Sequence, residues 1–310
     1  MKRALVIRFS ALGDVALLVP VVRTVAEQNP ETEFTILSQQ RMEDLFSGMP
    51  KNVIFHGVDL KKEPLRKIVA GLGRFDLVAD LHDVWRSRYI RIAMLLKGAH
   101  VRTIRKGRLE RFELIHHIRT QALKHTTVRY AEVLQRLGLT ISDIKPFHNE
   151  EGEGVGIAPF AAHKGKIYPL GRMEEVVRLL SESSERIVLF GGGEKEQEIL
   201  ESWAKKYKGV VSIAGKYRLA EEIEIMRGLR VIISMDSANM HLASLVGKRV
   251  VSIWGSTHPN AGFLGFGQSE KDCIQRELKC RPCSIYGNKK CKFNDYRCLE
   301  IAPEDIVSQL

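Results

Sequence analysis

A chain of 310 residues exceeds what one hydrophobic core ordinarily serves, so two domains of about 150 residues are expected. With 44% hydrophobic residues and no apolar run near the roughly 20 residues of a bilayer span, the composition is that of a globular protein and excludes a membrane-spanning one. A net charge of +11 implies an anionic partner: nucleic acid, acidic lipid head groups or a phosphorylated small molecule.

Met1-Lys2-Arg3-Ala4 leads straight into a strand pattern over residues 4–9 rather than into a signal-peptide core, which makes a cytoplasmic location the default expectation. Ser10-Ala11-Leu12-Gly13-Asp14 is a turn into a helix whose apolar positions Val15, Leu18, Val19, Val22 and Val25 recur at helical spacing. Gly13 permits the tight turn. Asp14 sits at the helix start, where a carboxylate suits the dipole and caps amides. Further strands are expected over 34–37, 53–55 and 77–81, separated by amphipathic stretches. Asp80-Leu81-His82, followed by Arg86-Ser87-Arg88, places polar groups at the last of these strand ends.

Between Asp83 and Arg129 twelve Lys or Arg face three acids, with four histidines among them. So strong an imbalance suggests an anionic ligand or a bilayer surface, and a solvated face otherwise. The run carries neither an RNA-binding aromatic signature nor a helix-turn-helix, so nucleic acid is not expected. Adjacent His116-His117 diverge on a helix and lack a carboxylate at ligand spacing, which argues against a metal there.

Residues 142–154, with Pro146, Asn149, Gly152 and Gly154, have linker composition, and a boundary between 148 and 149 divides the chain into two domains. Residues 155–159 restart the βα alternation. Residues 187–190 form a buried strand running into Gly191-Gly192-Gly193-Glu194-Lys195-Glu196, whose glycines let backbone approach a ligand. This is not the G-x-G-x-x-G dinucleotide fingerprint. Residues 231–257 read as strand, loop, helix, strand. Asp236 and Ser237 are placed to cap the helix, Gly247 ends it, and the loop opens at the carboxyl edge of a parallel sheet, where α/β proteins bind ligands. The tail holds Cys280, Cys283, Cys291 and Cys298 in the spacing C-x2-C-x7-C-x6-C, with Cys273 apart, and zinc, disulfides and free thiols all remain open for them.

Two motifs some 220 residues apart carry a resemblance covering nearly the whole chain. Arg8, Ser10, Gly13, Asp14 and Val15 match R-x-S-x-x-G-D-[VI]. Asp236-Ser237-Ala238 with His241, then Trp254-Gly255-Ser256-Thr257, is similar to D-[ST]-G-x-x-H followed by [FY]-G-x-T, with Ala238 in place of the usual Gly. Phe160 to Pro169 resembles P-G-x-x-x-x-x-K-x-W-P, with Lys166 on the phosphate-binding Lys and no hydroxyl in Phe160-Ala161-Ala162. These are signatures of the family-9 glycosyltransferases, the ADP-heptose:lipopolysaccharide heptosyltransferases and relatives.

The resemblance implies an α/β GT-B fold, two facing Rossmann-like domains with a central cleft: an acceptor domain over 1–148 and a donor domain over 149–310. It implies inverting, metal-independent transfer from an ADP-heptose-like nucleotide sugar to an anionic glycolipid on the inner leaflet of the cytoplasmic membrane, by a peripheral enzyme. Asp14 would be the base. Ser10, Gly13, His82, Arg86 and Arg88 would meet the acceptor, and Lys166, Glu194, Glu196, Asp236, Ser237, Ala238 and His241 the donor. No cofactor is required, and the cysteines would be a structural clip that suits zinc. Another nucleotide sugar, or a non-catalytic nucleotide-sugar or anionic-lipid binding protein, stands as the alternative.

Overall fold

The computed structural model describes residues 1–310, which form two compact units, Met1–Lys106 with His125–Lys145 and Gly107–Lys124 with Pro146–Leu310. The second unit therefore includes a stretch that the boundary at 148/149 would give to the first.

The first unit is built on a parallel sheet of β1 (Lys2–Ile7), β2 (Thr32–Gln39), β3 (Val53–Val58), β4 (Leu77–Asp80) and β5 (His100–Thr103), ordered β3-β2-β1-β4-β5. The expected first helix is two, α1 (Leu12–Ala16) and α2 (Leu18–Gln28), and Val15, Leu18, Val19, Val22 and Val25 are all buried as their spacing requires. α3 (Leu65–Gly71) packs against α4 (Trp85–Leu96). Leu5, Ile7 and Val78 pack with Ile90 and Met94 of α4 in one apolar cluster. The edge strand β5 has no counterpart in the sequence analysis, because His100-Val101-Arg102-Thr103 is only half covered and shows no apolar run.

α5 (Arg108–Ile115) belongs to the second unit, where Leu123 N donates to Asn260 O at 2.7 Å and the Arg111 guanidinium lies 5.5 Å from the ring centres of both Phe263 and Tyr286. α6 (Thr126–Gln135) returns to the first unit, against α2. The sheet of the second unit comprises β6 (Val155–Ala158), β7 (Ile187–Leu189), β8 (Val210–Ser212), β9 (Val231–Met235), β10 (Arg249–Trp254) and β11 (Cys273–Gln275), all parallel and ordered β11-β10-β9-β6-β7-β8. It carries α7 (Leu170–Glu182), α8 (Glu194–Lys206), α9 (Leu219–Arg227), α10 (Ala238–Leu245) and α11 (Pro303–Val307), with α11 closing against α7.

In both sheets the first strand lies in the interior and the strand order reverses beside it, at β1/β4 in one unit and at β6/β9 in the other. Loops leaving two adjacent strands in opposite directions open a crevice at their carboxyl ends. Each unit thus has one such switch point.

One carboxylate of the second unit is set against its surroundings. On α9, partial burial alone pushes the Glu222 carboxyl up from 4.5 to about 7. A raised acid stabilises the fold fully below its unfolded pKa, and that contribution is lost as pH rises through about 7. Glu222→Gln should therefore gain about 1–2 kcal/mol over wild type near pH 8 and nothing near pH 4, as read from urea unfolding at the two pH values.

Candidate active site

At the switch point of the first unit, Arg8 follows β1 directly and the turn after it delivers Asp14 on α1. Arg8 Nη2 stands 2.6 Å from Asp14 Oδ2, and Arg8 Nη1 donates to Leu81 O at 2.7 Å, tying the β1 turn to the loop after β4. Ala11 N donates to the same Asp14 oxygen at 3.2 Å, and Tyr130 O–H donates to the Asp14 carbonyl, also at 3.2 Å. Asp14 therefore both caps its helix, as an acid at that place should, and is held by a guanidinium. Its side chain is still a quarter exposed (26%).

His82 comes from the β4 side of the crevice. Its Nδ1 accepts from Phe9 N at 3.4 Å, which leaves Nε2 to carry the proton of the neutral ring. Burial, then the nearby Arg8 charge, pushes its pKa down to about 4. Asp80, fully buried, shapes the turn by accepting from His82 N, Asp83 N, Ser87 Oγ and Arg91 Nη1 at 2.8–3.1 Å. The crevice therefore brings together Arg8, Asp14 and His82, with Gly13 buried in α1 and Ser10 in the turn between.

Arg86 and Arg88, expected at the acceptor, lie elsewhere on α4. Arg86 lies over the ring of exposed Trp85 at 4.9 Å, and Arg88 forks onto Asp83 at 2.8 and 3.1 Å. Arg91 and Lys106 also hold this turn, Arg91 through Asp80 and Asp83 and Lys106 through its Nζ, which donates to Asp83 O at 2.7 Å. Only the spacing of Arg91 from Ser87 along the inner face of α4 hinted at this in the sequence.

At the switch point of the second unit, Lys166 follows β6 and Asp236 follows β9. Lys166 Nζ stands 2.9 Å from Asp236 Oδ2, which also accepts from Thr257 Oγ1 at 2.7 Å. Asp236, expected to cap the helix and to meet the donor, here orients Lys166, whose three donors allow it to serve a phosphate oxygen as well. Ser256 N and Oγ both reach Gly165 O, at 2.8 and 2.9 Å, locking the β10 loop to the Lys166 loop. The approach is so close that a Cβ on Gly255 would fall 2.4 Å from Gly165 O.

Ser237 occupies the N-cap of α10 in extended conformation, but its hydroxyl accepts from no helix amide, contrary to the expected cap. Ala238 begins that helix and His241 is on its buried side. Glu194 and Glu196 are not joined to this group. Glu194 lines an open surface hollow along α8, and Glu196 Oε2 accepts from Gly192 N at 2.8 Å, steadying the glycine turn.

Residues 71–294 match the family model described as glycosyltransferase family 9 (heptosyltransferase). The chain belongs to glycosyltransferase family 9. A curated relative, lipopolysaccharide heptosyltransferase 3 of Escherichia coli, is 23% identical over 281 residues, 79% of this chain and 81% of that protein. A family-9 glycosyltransferase from Veillonella parvula superposes with a TM-score of 0.75 at 20% identity, over 99% of this chain and 96% of that one. The E. coli heptosyltransferase WaaC with ADP-2-deoxy-2-fluoro heptose does so at 0.70 and 17%, over 99% and 98%. This family-9 chain accordingly has the α/β architecture of the GT-B class.

The cysteine tail of this family-9 chain lies directly behind the Lys166 loop. No disulfide joins the five thiols, and the four of the expected clip lie within electrostatic reach of one another, Cys283 beside Cys280 and Cys291 and Cys298 beside Cys283 and Cys291. The grip comes from a residue that the cysteine spacing masks. Arg281, buried within Cys-Arg-Pro-Cys, donates to Gly255 O, to Thr257 O at 2.8 Å, to Arg276 O and to Gln275 Oε1 at 2.9 Å. Cys283 N and Ser284 N then cap Ser256 O at 3.1 and 3.2 Å. Burial pushes the Cys298 thiol up to about 11.

Proposed function

We propose that this family-9 glycosyltransferase moves a heptose or related sugar from ADP-heptose to a lipopolysaccharide core or lipid A-type acceptor, with inversion and without a catalytic metal ion. The observation that carries the reading is the Lys166–Asp236–Thr257 group at the β6/β9 switch point, a cation oriented by a carboxylate beside the start of a helix. The fold shared with a heptosyltransferase seen with an ADP-heptose analogue supports the same donor.

In this reading Asp14 accepts the proton of the acceptor hydroxyl while that oxygen bonds to the anomeric carbon from the face opposite the diphosphate. The bond from the anomeric carbon to the diphosphate oxygen breaks, and ADP leaves with its new charge balanced by Lys166 and the first amides of α10. Arg8 orients the carboxylate, and neutral His82 offers its Nε2 proton to an acceptor oxygen without competing for the proton that Asp14 takes.

Calorimetric titration with ADP, UDP and GDP tests the donor site. ADP should bind selectively, and Lys166→Ala should weaken it by about tenfold or more, the value of a hydrogen bond to a charged group. Preference for UDP would transfer the assignment to another nucleotide sugar. Absence of binding by all three would remove the donor site from this loop.

A further inference from the structure

We propose that the outward face of α4 docks on an anionic phospholipid bilayer. A surface helix ordinarily turns polar residues to water. Here Trp85, Tyr89, Ile92, Leu95 and Leu96 are between 47% and 83% exposed. At about 100° per residue, Trp85, Tyr89, Ile92 and Leu96 share a sector of roughly 60°, a stripe about 16 Å long. It lies opposite the face that buries Ser87, Ile90 and Met94. Helix α4 is thus apolar on both sides. Single exposed apolar residues are ordinary, but four aligned ones, with exposed Leu95 beside the last of them, are an interaction surface.

The charge around the stripe selects the occupant. Arg86 and Arg88 flank it on its two sides and Lys97 follows its end. No acidic residue occurs from Val84 to Lys106, where seven Lys or Arg do. The neighbouring α3 adds exposed Arg66 and Lys67 and no acid. Asp83, the carboxylate at the head of the helix, is already shared among Arg88, Arg91 and Lys106. A second copy of the chain related by a two-fold axis would set these arginines against each other. A bilayer carrying anionic head groups offers acyl chains to the stripe, an interfacial level that suits Trp85 and Tyr89, and phosphates to the flanking cations.

The geometry stands on the first unit alone. Its purpose rests on the acceptor reading above, since α4 starts three residues after His82 and docking would bring a lipid-borne acceptor to the Asp14 crevice.

The three tryptophans make the test direct. Trp203 and Trp254 are buried, so a change in emission on adding vesicles reports Trp85. The full chain should sediment with vesicles of phosphatidylcholine mixed with phosphatidylglycerol, with a blue shift in emission, and tenfold less with phosphatidylcholine alone. Ile92→Ser combined with Leu96→Ser should lower vesicle partition at least tenfold while leaving the ADP titration and Tm unchanged, and Arg86→Glu should lower it without touching the stripe. ADP binding by a chain that ignores the vesicles would overturn the docking surface and leave the donor site standing. So would vesicle binding undiminished in the double variant, or sedimentation equilibrium showing a dimer that the double variant dissolves, or a Trp85 shift produced by a single-stranded oligonucleotide and not by vesicles.

Discussion

Asp14→Asn should bind ADP as wild type does and transfer sugar roughly 10²- to 10⁴-fold more slowly, the usual contribution of a positioned general base. The two effects separate because Asp14 lies in the first unit, whereas Lys166 and Asp236 lie in the second. Asparagine keeps the size of the side chain and a carbonyl to accept from Ala11 N, so the α1 turn should persist. It cannot take a proton, and it withdraws the charge that Arg8 faces at 2.6 Å. A modest fall in Tm is therefore expected and is not the readout. Arg8→Met is the control: it removes the same ion pair and leaves the carboxylate in place, so if the rate loss came only from the broken pair, Arg8→Met would match Asp14→Asn. Retention of kcat within about threefold in Asp14→Asn would remove Asp14 from the chemistry.

Arg281→Ala should be the most damaging change to stability, costing about 3–5 kcal/mol. The guanidinium is buried and answers three backbone carbonyls and one side-chain amide oxygen. Deleting it leaves those acceptors without donors, at about 1–3 kcal/mol for each buried group before relaxation. Two of the carbonyls belong to Gly255 and Thr257, so the loop that holds Asp236 and the Lys166 turn should loosen, and ADP affinity should fall with stability. Arg281→Lys retains the charge but not the planar fork, and should fall between the two. Thermal unfolding with an ADP titration on each variant reads both effects. Wild-type stability in Arg281→Ala would mean that water replaces the guanidinium at no cost.

Much of this architecture was legible because it is local. A short β-branched run such as Val231-Ile232-Ile233, a polar turn and a helix of the right period identify a βα unit whatever surrounds it, and both switch-point loops follow from the order of such units. Asp14, Lys166 and Asp236 were singled out by the resemblance, through motifs that fall at the ends of those strands. The sequence analysis failed where a side chain's role depends on what register and packing bring to it. The partner of Asp236 is Lys166, 70 residues away by their numbering, and nothing along the chain links them. Arg88 occupies a motif position yet turns to Asp83, because the pitch of α4 directs Arg91 inward instead. The edge strands β5 and β11 are half covered and lack the apolar continuity that marks interior ones. Arg281, between two cysteines of that motif, was passed over because its acceptors Gly255 O and Thr257 O lie more than twenty residues back along the chain.

The excursion of Gly107–Lys124 decides how this chain can be cut. A fragment beginning at Pro146 would contain all six strands of its sheet but not Leu123, which donates to Asn260 O, nor Arg111, which lies over Phe263 and Tyr286. The complementary fragment would carry that arm with nothing of its own unit to pack on. Neither half is a self-sufficient module. A grafting or split-gene experiment that exchanges donor specificity between relatives would have to move two separate stretches together, and the natural seams for it lie at 106/107, 124/125 and 145/146.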